Sequence, residues 1–151
     1  KDRAPKDSSV RFHTIADQWF YKNFGIKHRS QSLFVTSRRL TAQTYAATPS
    51  HVIRVVPIST YRYCWTPLAS DLLFAAEKMK ESPACEIEEH LESLEYQDSN
   101  LVEAHKAGHE VMLHCEKYIA IPVHLLAESL DTLNSSGLIL LQSFQSVSKS
   151  K

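Results

Sequence analysis

One stretch of the chain reads as a strand that sorts its side chains onto two faces. It runs Gly108-His109-Glu110-Val111-Met112-Leu113-His114-Cys115-Glu116-Lys117-Tyr118-Ile119-Ala120-Ile121. With the period of two that a strand imposes, Val111, Leu113 and Cys115 point to one face and Glu110, Met112 and His114 to the other. Gly108 marks the end of a preceding helix, and Pro122 closes the strand. A carboxylate at the start of a buried strand costs free energy unless it is paired or used. The plainer alternative is an edge strand whose glutamate reaches water.

The other elements follow in order. Residues 1–10 are polar, Pro5 bars a regular helix there, and Arg3 lies in a short segment able to pair as a strand. From Phe12 to Phe24 the apolar spacing turns helical, with Ile15 and Trp19 on one face and Gly25 as the stop. His28 to Ser37 reads as a strand with a hydroxyl at its end. Arg38 to Ala47 reads as a short helix with Leu40 and Tyr45 facing inward. His51 to Ile58 has a β-branched composition and Pro57 near its end. Tyr61 to Trp65 alternates as another strand. Thr66-Pro67 opens a helix to about Lys80. Ser82-Pro83 opens an acidic helix through Glu95, and Leu101 to Ala107 forms one more before Gly108. Val123 to Leu133 is an amphipathic helix, Ser135-Ser136-Gly137 breaks it, and Leu138 to Phe144 is a last helix or strand. Residues 145–151 form a frayed tail. Strands interleaved with clustered helices indicate an α+β domain, with mixed, mostly antiparallel sheets and flanking helices, and 151 residues suit a single domain over 1–151.

Bulk composition narrows the function classes. With 17 basic and 17 acidic side chains the net charge is zero, so no global field draws the chain to nucleic acid or membrane. No apolar run approaches the length of a membrane span. The first residues lack the pattern of a signal peptide. Three separated cysteines, Cys64, Cys85 and Cys115, do not form a disulfide framework and point to a reducing, cytoplasmic compartment. Three glycines leave no glycine-rich phosphate loop.

Two tempting chemistries fail on spacing. His109 and His114 bracket a pattern like that of zinc proteases with one residue too many. Five apart, they sit roughly 140° out of line on a helix and on opposite faces of a strand, so no metal is expected. Cys64 and Cys115 lack a local nucleophile signature. Lys27, His28, Arg29, Arg38 and Arg39, with Tyr61, Tyr63 and Trp65, offer a basic rim and stacking rings. Alternating aromatics on a strand serve packing more often.

A wider pattern carries a resemblance. Ser32-Leu33-Phe34-Val35-Thr36-Ser37, then Leu40, Ala42 and Tyr45-Ala46, then His51-Val52-Ile53-Arg54-Val55-Val56-Pro57, and later Glu110-Val111-Met112-Leu113, resemble the ADP-ribosyltransferase superfamily over roughly residues 1–121. The resemblance implies that fold and an NAD-dependent transfer of ADP-ribose to a macromolecule, protein or nucleic acid. It implies Glu110 as catalytic glutamate and Arg3, with Arg29 as its rival, as the arginine on the dinucleotide. It also places Ser32, with Ser30 on the same strand face, in the second motif strand, and Tyr45 as the ring beneath nicotinamide. Gly108 stands where arginine-modifying members carry Gln or Glu, which leaves the acceptor open. Small enzymes of this kind occur as bacterial toxins and phage-encoded modifiers.

The residue types suit that chemistry. Cleaving nicotinamide from ribose builds positive charge at the anomeric carbon, as in glycoside hydrolysis, and a fixed carboxylate stabilises it. An arginine forks onto the diphosphate, and an aromatic ring gives nicotinamide a flat platform. The alternatives are a binding or interaction module of the same fold without turnover, and a structural protein in which Glu110 is only an edge residue.

Overall fold

The computed structural model describes residues 2–5, 8–123 and 141–143. The sheet is antiparallel throughout. Its strands are β1 (Leu33–Thr36), β2 (Ile53–Pro57), β3 (Tyr61–Trp65), β4 (Val111–Cys115), β5 (Tyr118–Pro122) and β6 (Leu141–Ser143), in the order β3-β4-β1-β6-β2-β5. The α+β class read from the sequence is therefore what the chain forms. The expected helix at 124–133, the break at 135–137 and the tail at 145–151 lie outside the described residues. Within the ambiguous segment 138–144, Leu141–Ser143 is a strand.

Helix α1 (Val10–Phe24) starts where the Ser9 hydroxyl accepts the Phe12 N–H at 3.1 Å. It ends at Gly25, whose φ of 72° sends the chain away. Phe12, Ala16, Trp19 and Phe20 form its buried stripe. They pack with Phe34 of β1, Cys64 of β3 and Met112 of β4, and with Leu72, Ala76, Ile87 and Leu91. The last three come from α4 (Leu73–Lys78) and α5 (Ala84–Ser93). The opposite face of the sheet is covered by α6 (Leu101–Ala107), whose Ala104 packs with Val35, Trp65, Val111 and Leu113. The expected alternation in β4 is realised: Met112 lies in one core, Val111 and Leu113 in the other.

Four expected elements differ. Residues His28–Gln31 form a short helix, α2, rather than the first half of a strand. The cause lies in α1, where Asp17 Oδ1 accepts the N–H groups of Arg29 (2.8 Å) and Ser30 (3.1 Å). Helix α3 (Arg39–Tyr45) buries Ala42, while Leu40 is 78% and Tyr45 40% exposed, so the inward face was misassigned. The helix expected from Thr66 begins only at Leu73. Thr66 turns its hydroxyl onto its own neighbourhood, accepting from Leu68 N and donating to Leu94 O. The single strand expected over 109–121 is two, β4 and β5, divided at Glu116 and Lys117.

Candidate functional site

Strand β4 lies between β3 and β1, so its first residues are not at a sheet edge. The register pairs Phe34 with Met112 and Val35 with Val111. Continued by one step, it sets Thr36 opposite Glu110, on the same sheet face as Phe34 and Met112. The edge-glutamate alternative is thereby corrected: the Glu110 side chain is only 16% exposed.

The connection between β3 and α4 wraps this glutamate. Ser70 O accepts the Glu110 N–H at 2.7 Å, and the Leu72 N–H donates to the Glu110 carboxylate. Asp71, between them, accepts the Tyr45 hydroxyl at Oδ2 (3.0 Å) and the Leu73 N–H at Oδ1 (2.9 Å). Thr36, Thr41, Tyr45, Ser70, Asp71 and Glu110 line one open cleft of about 210 Å³. That volume includes open solvent, so the feature is a shallow, half-open depression.

Behind the cleft stands a cationic support. Arg29 Nη1 lies 3.8 Å from Glu110 Oε1. The Arg29 and Arg3 guanidiniums sit 4.6 and 4.0 Å from the centroid of the Phe34 ring, a cation–π arrangement. Arg29 is buried and Arg3 exposed. Arg29 is seated by the Asp17 carboxylate on its N–H, and Asp17 also faces His13 at 3.5 Å.

Burial pushes the Glu110 carboxyl above its ordinary value. Arg29 pulls it back, Asp71 pushes it further up, and Arg3 and the Leu72 N–H lower it. Tyr96, half-buried, is raised by burial and then by the Glu110 charge. His28 is held down at about 4 by burial, then by His114 and Arg62.

The structure thus gathers four of the five residues singled out from the sequence. Glu110 and Tyr45 line the cleft, and Arg29 and Arg3 stand behind it. Ser32 is not among the lining residues. It is buried with its hydroxyl 2.8 Å from His28 Nδ1. Ser30 belongs to α2 and so shares no strand face with Ser32. Sequence reading missed Asp71, Tyr96 and the cleft position of Thr36. Asp71 carried one usable signal: an aspartate two residues before a helical run is placed to cap it.

The three cysteines are free. Among the described residues, no group of three or more His, Cys, Asp or Glu could hold a metal ion, and no helix is long and apolar enough to cross a membrane. His109 Nδ1 is engaged with Thr66 O and His114 Nδ1 with Gln31 O.

No family model, curated protein or solved structure matches the chain.

Proposed function

We propose that the chain is an NAD-dependent ADP-ribosyltransferase acting on a macromolecular acceptor. The observation that carries this reading is the position of Glu110: a carboxylate on the floor of a small cleft, backed by Arg29, with the Tyr45 ring at the rim. The Glu110 carboxylate faces the charge that grows at the anomeric carbon as nicotinamide leaves. Its environment is poor in water, which strengthens that interaction.

The two arginines divide the remaining work. Arg29 is buried and faces Glu110, so it orients the carboxylate. Arg3, exposed beside it on the Phe34 ring, holds Arg29 through its backbone carbonyl. Tyr45 offers its ring to nicotinamide. Ser32 acts at a distance, through its hydrogen bond to His28 and hence the seating of α2.

The deciding experiment measures nicotinamide release and label transfer from NAD labelled in its adenylate part, incubated with protein or nucleic-acid extract. Unaltered protein should release nicotinamide and label one extract. Glu110→Gln should lower both at least a hundredfold while the far-ultraviolet circular dichroism is unchanged. Undiminished activity in that variant, or no release by the unaltered protein, overturns the reading. Added NAD should also raise the melting temperature, as a ligand of the native state must.

A further inference from the structure

Helix α2 is a single turn, His28–Gln31. A helix that short has too few hydrogen bonds of its own to stand alone. Its place is set from outside, at both ends. At its start, Asp17 Oδ1 accepts the N–H groups of Arg29 at 2.8 Å and Ser30 at 3.1 Å. At its end, Arg3 donates to the carbonyls of Arg29 (3.0 Å) and Ser30 (2.9 Å), and His114 Nδ1 lies 2.7 Å from Gln31 O. Arg3 is exposed and His114 half-buried, whereas the Asp17 side chain is 10% exposed. The hold at Asp17 is therefore the one out of water, where a carboxylate on backbone N–H groups binds most firmly. The other Asp17 oxygen faces His13 Nε2 at the longer distance of 3.5 Å.

Helix α2 delivers one side chain to the support of the cleft. Arg29 Nη1 stands 3.8 Å from Glu110 Oε1. That is an ion pair but too long for a hydrogen bond. The Arg29 Nε is buried without a hydrogen-bond partner among the described residues. The Phe34 ring underlies the guanidinium, and the backbone of α2 decides where it stands. Glu110 is met by ionisable groups from four segments: Arg29 of α2, Arg3 of residues 2–5, Asp71 of the β3–α4 connection and Tyr96 after α5. Of the two cations, Arg29 acts on it more strongly.

We propose that Asp17 is a positioning residue for Glu110: through the backbone of α2 it fixes Arg29, and through Arg29 it sets the charge on a carboxylate of a different segment. The role is independent of the transferase reading and holds for any reaction the cleft performs. An Asp17 that works through Arg29 has nothing to act on once Arg29 is removed. Position and direct field also differ in sign. Freeing Arg29 takes a cation from Glu110 and makes its proton harder to lose. Removing the Asp17 charge alone takes away a repulsion and makes that proton easier to lose. The coupling is reciprocal, so neutralising Glu110 loosens α2 at its Asp17 end.

The test follows the titration of the Glu110 carboxyl carbon by NMR. Arg29→Ala should raise the midpoint by about one pH unit or more, and Asp17→Ala should reproduce at least half of that rise. Asp17→Ala added to Arg29→Ala should move it by no more than about 0.3 unit. Asp17→Asn keeps an oxygen for the two amides and should leave the midpoint within about 0.3 unit of the unaltered protein. The second readout is amide hydrogen exchange. Glu110→Gln should speed exchange at Arg29 and Ser30 about fivefold or more relative to the amides of α5. A midpoint unmoved by Arg29→Ala, unmoved or lowered by Asp17→Ala, shifted as far by Asp17→Asn as by Asp17→Ala, or shifted additively in the double variant overturns the assignment. So does unchanged relative exchange in Glu110→Gln, which decides alone where Asp17→Ala fails to fold. Neither readout uses NAD, so failure of the transferase reading leaves the role of Asp17 standing.

Discussion

Arg3 Nη2 donates to the backbone carbonyl of Arg29 at 3.0 Å, so an exposed arginine holds a buried one in place. The Arg3 N–H reinforces this by donating to Ser30 O at 2.9 Å. The two arginines are adjacent on Phe34 but unequal in consequence.

Arg29→Ala leaves the Glu110 carboxylate buried without its nearest cation. Loss of one partner of a buried pair costs about 3 kcal/mol, and a urea midpoint should fall accordingly. Arg3→Ala, at an exposed position, should cost about 1 kcal/mol or less and chiefly weaken NAD binding, read by calorimetry. The reverse ranking in stability would show that Arg29 is not the support of Glu110.

Acid should destabilise the fold over a defined window. His28 has a folded value of about 4 against an ordinary 6.5. Between these values the unfolded chain takes a proton that the folded chain refuses. Its contribution is fully present above 6.5 and is lost as the pH falls toward 4. The loss is at most about 3 kcal/mol, and His13, also lowered by burial, acts in the same direction. Urea midpoints measured across this range should show that slope, and His28→Gln should flatten it. An unchanged slope in the variant would remove His28 as its cause.

Glu110 works in the opposite sense. Its folded value is raised above the ordinary 4.5. The folded chain thus keeps a proton that the unfolded chain has lost, and this contribution disappears as the pH rises through the folded value. Glu110→Gln should lose less stability than unaltered protein as the pH rises from 4.5. A greater loss in the variant would mean that Arg29 outweighs burial.

Gly108→Ala meets two obstacles. Its φ is +70°, and a Cβ there would lie 2.1 Å from the Arg38 side chain. The backbone strain costs about 1–2 kcal/mol, seen as a lower melting temperature. Arg38→Ala in the same chain should recover the crowding and leave the strain. Full recovery would place the whole cost in the side-chain contact.

Local signals were legible where neighbours in sequence decide the outcome. The stripe of α1, the glycine stops at 25 and 108, and the two faces of β4 all follow from spacing alone. The failures trace to distant partners. Helix α2 exists because Asp17, twelve residues upstream, caps it. Helix α4 starts late because Ser70 and Leu72 give their backbone groups to Glu110. Tyr45 turned outward because Asp71, from another segment, holds its hydroxyl. The same cause hid Asp71: nothing near it in sequence tells that its partner lies twenty-six residues upstream.

Strand β6 joins the two parts of the sheet, pairing with β1 on one side and β2 on the other. The strands β3, β4 and β1 that carry Glu110 end at Cys115, while Tyr118 and Val123 beyond it pack into the cores beside them. As the chain leaves the ribosome, the strands β3, β4 and β1 can pair first, and β2-β5 is joined to them only when the last described strand emerges. A pause in synthesis between these two points would leave β1 with an unpaired edge, and that edge is where premature association with another nascent chain would begin.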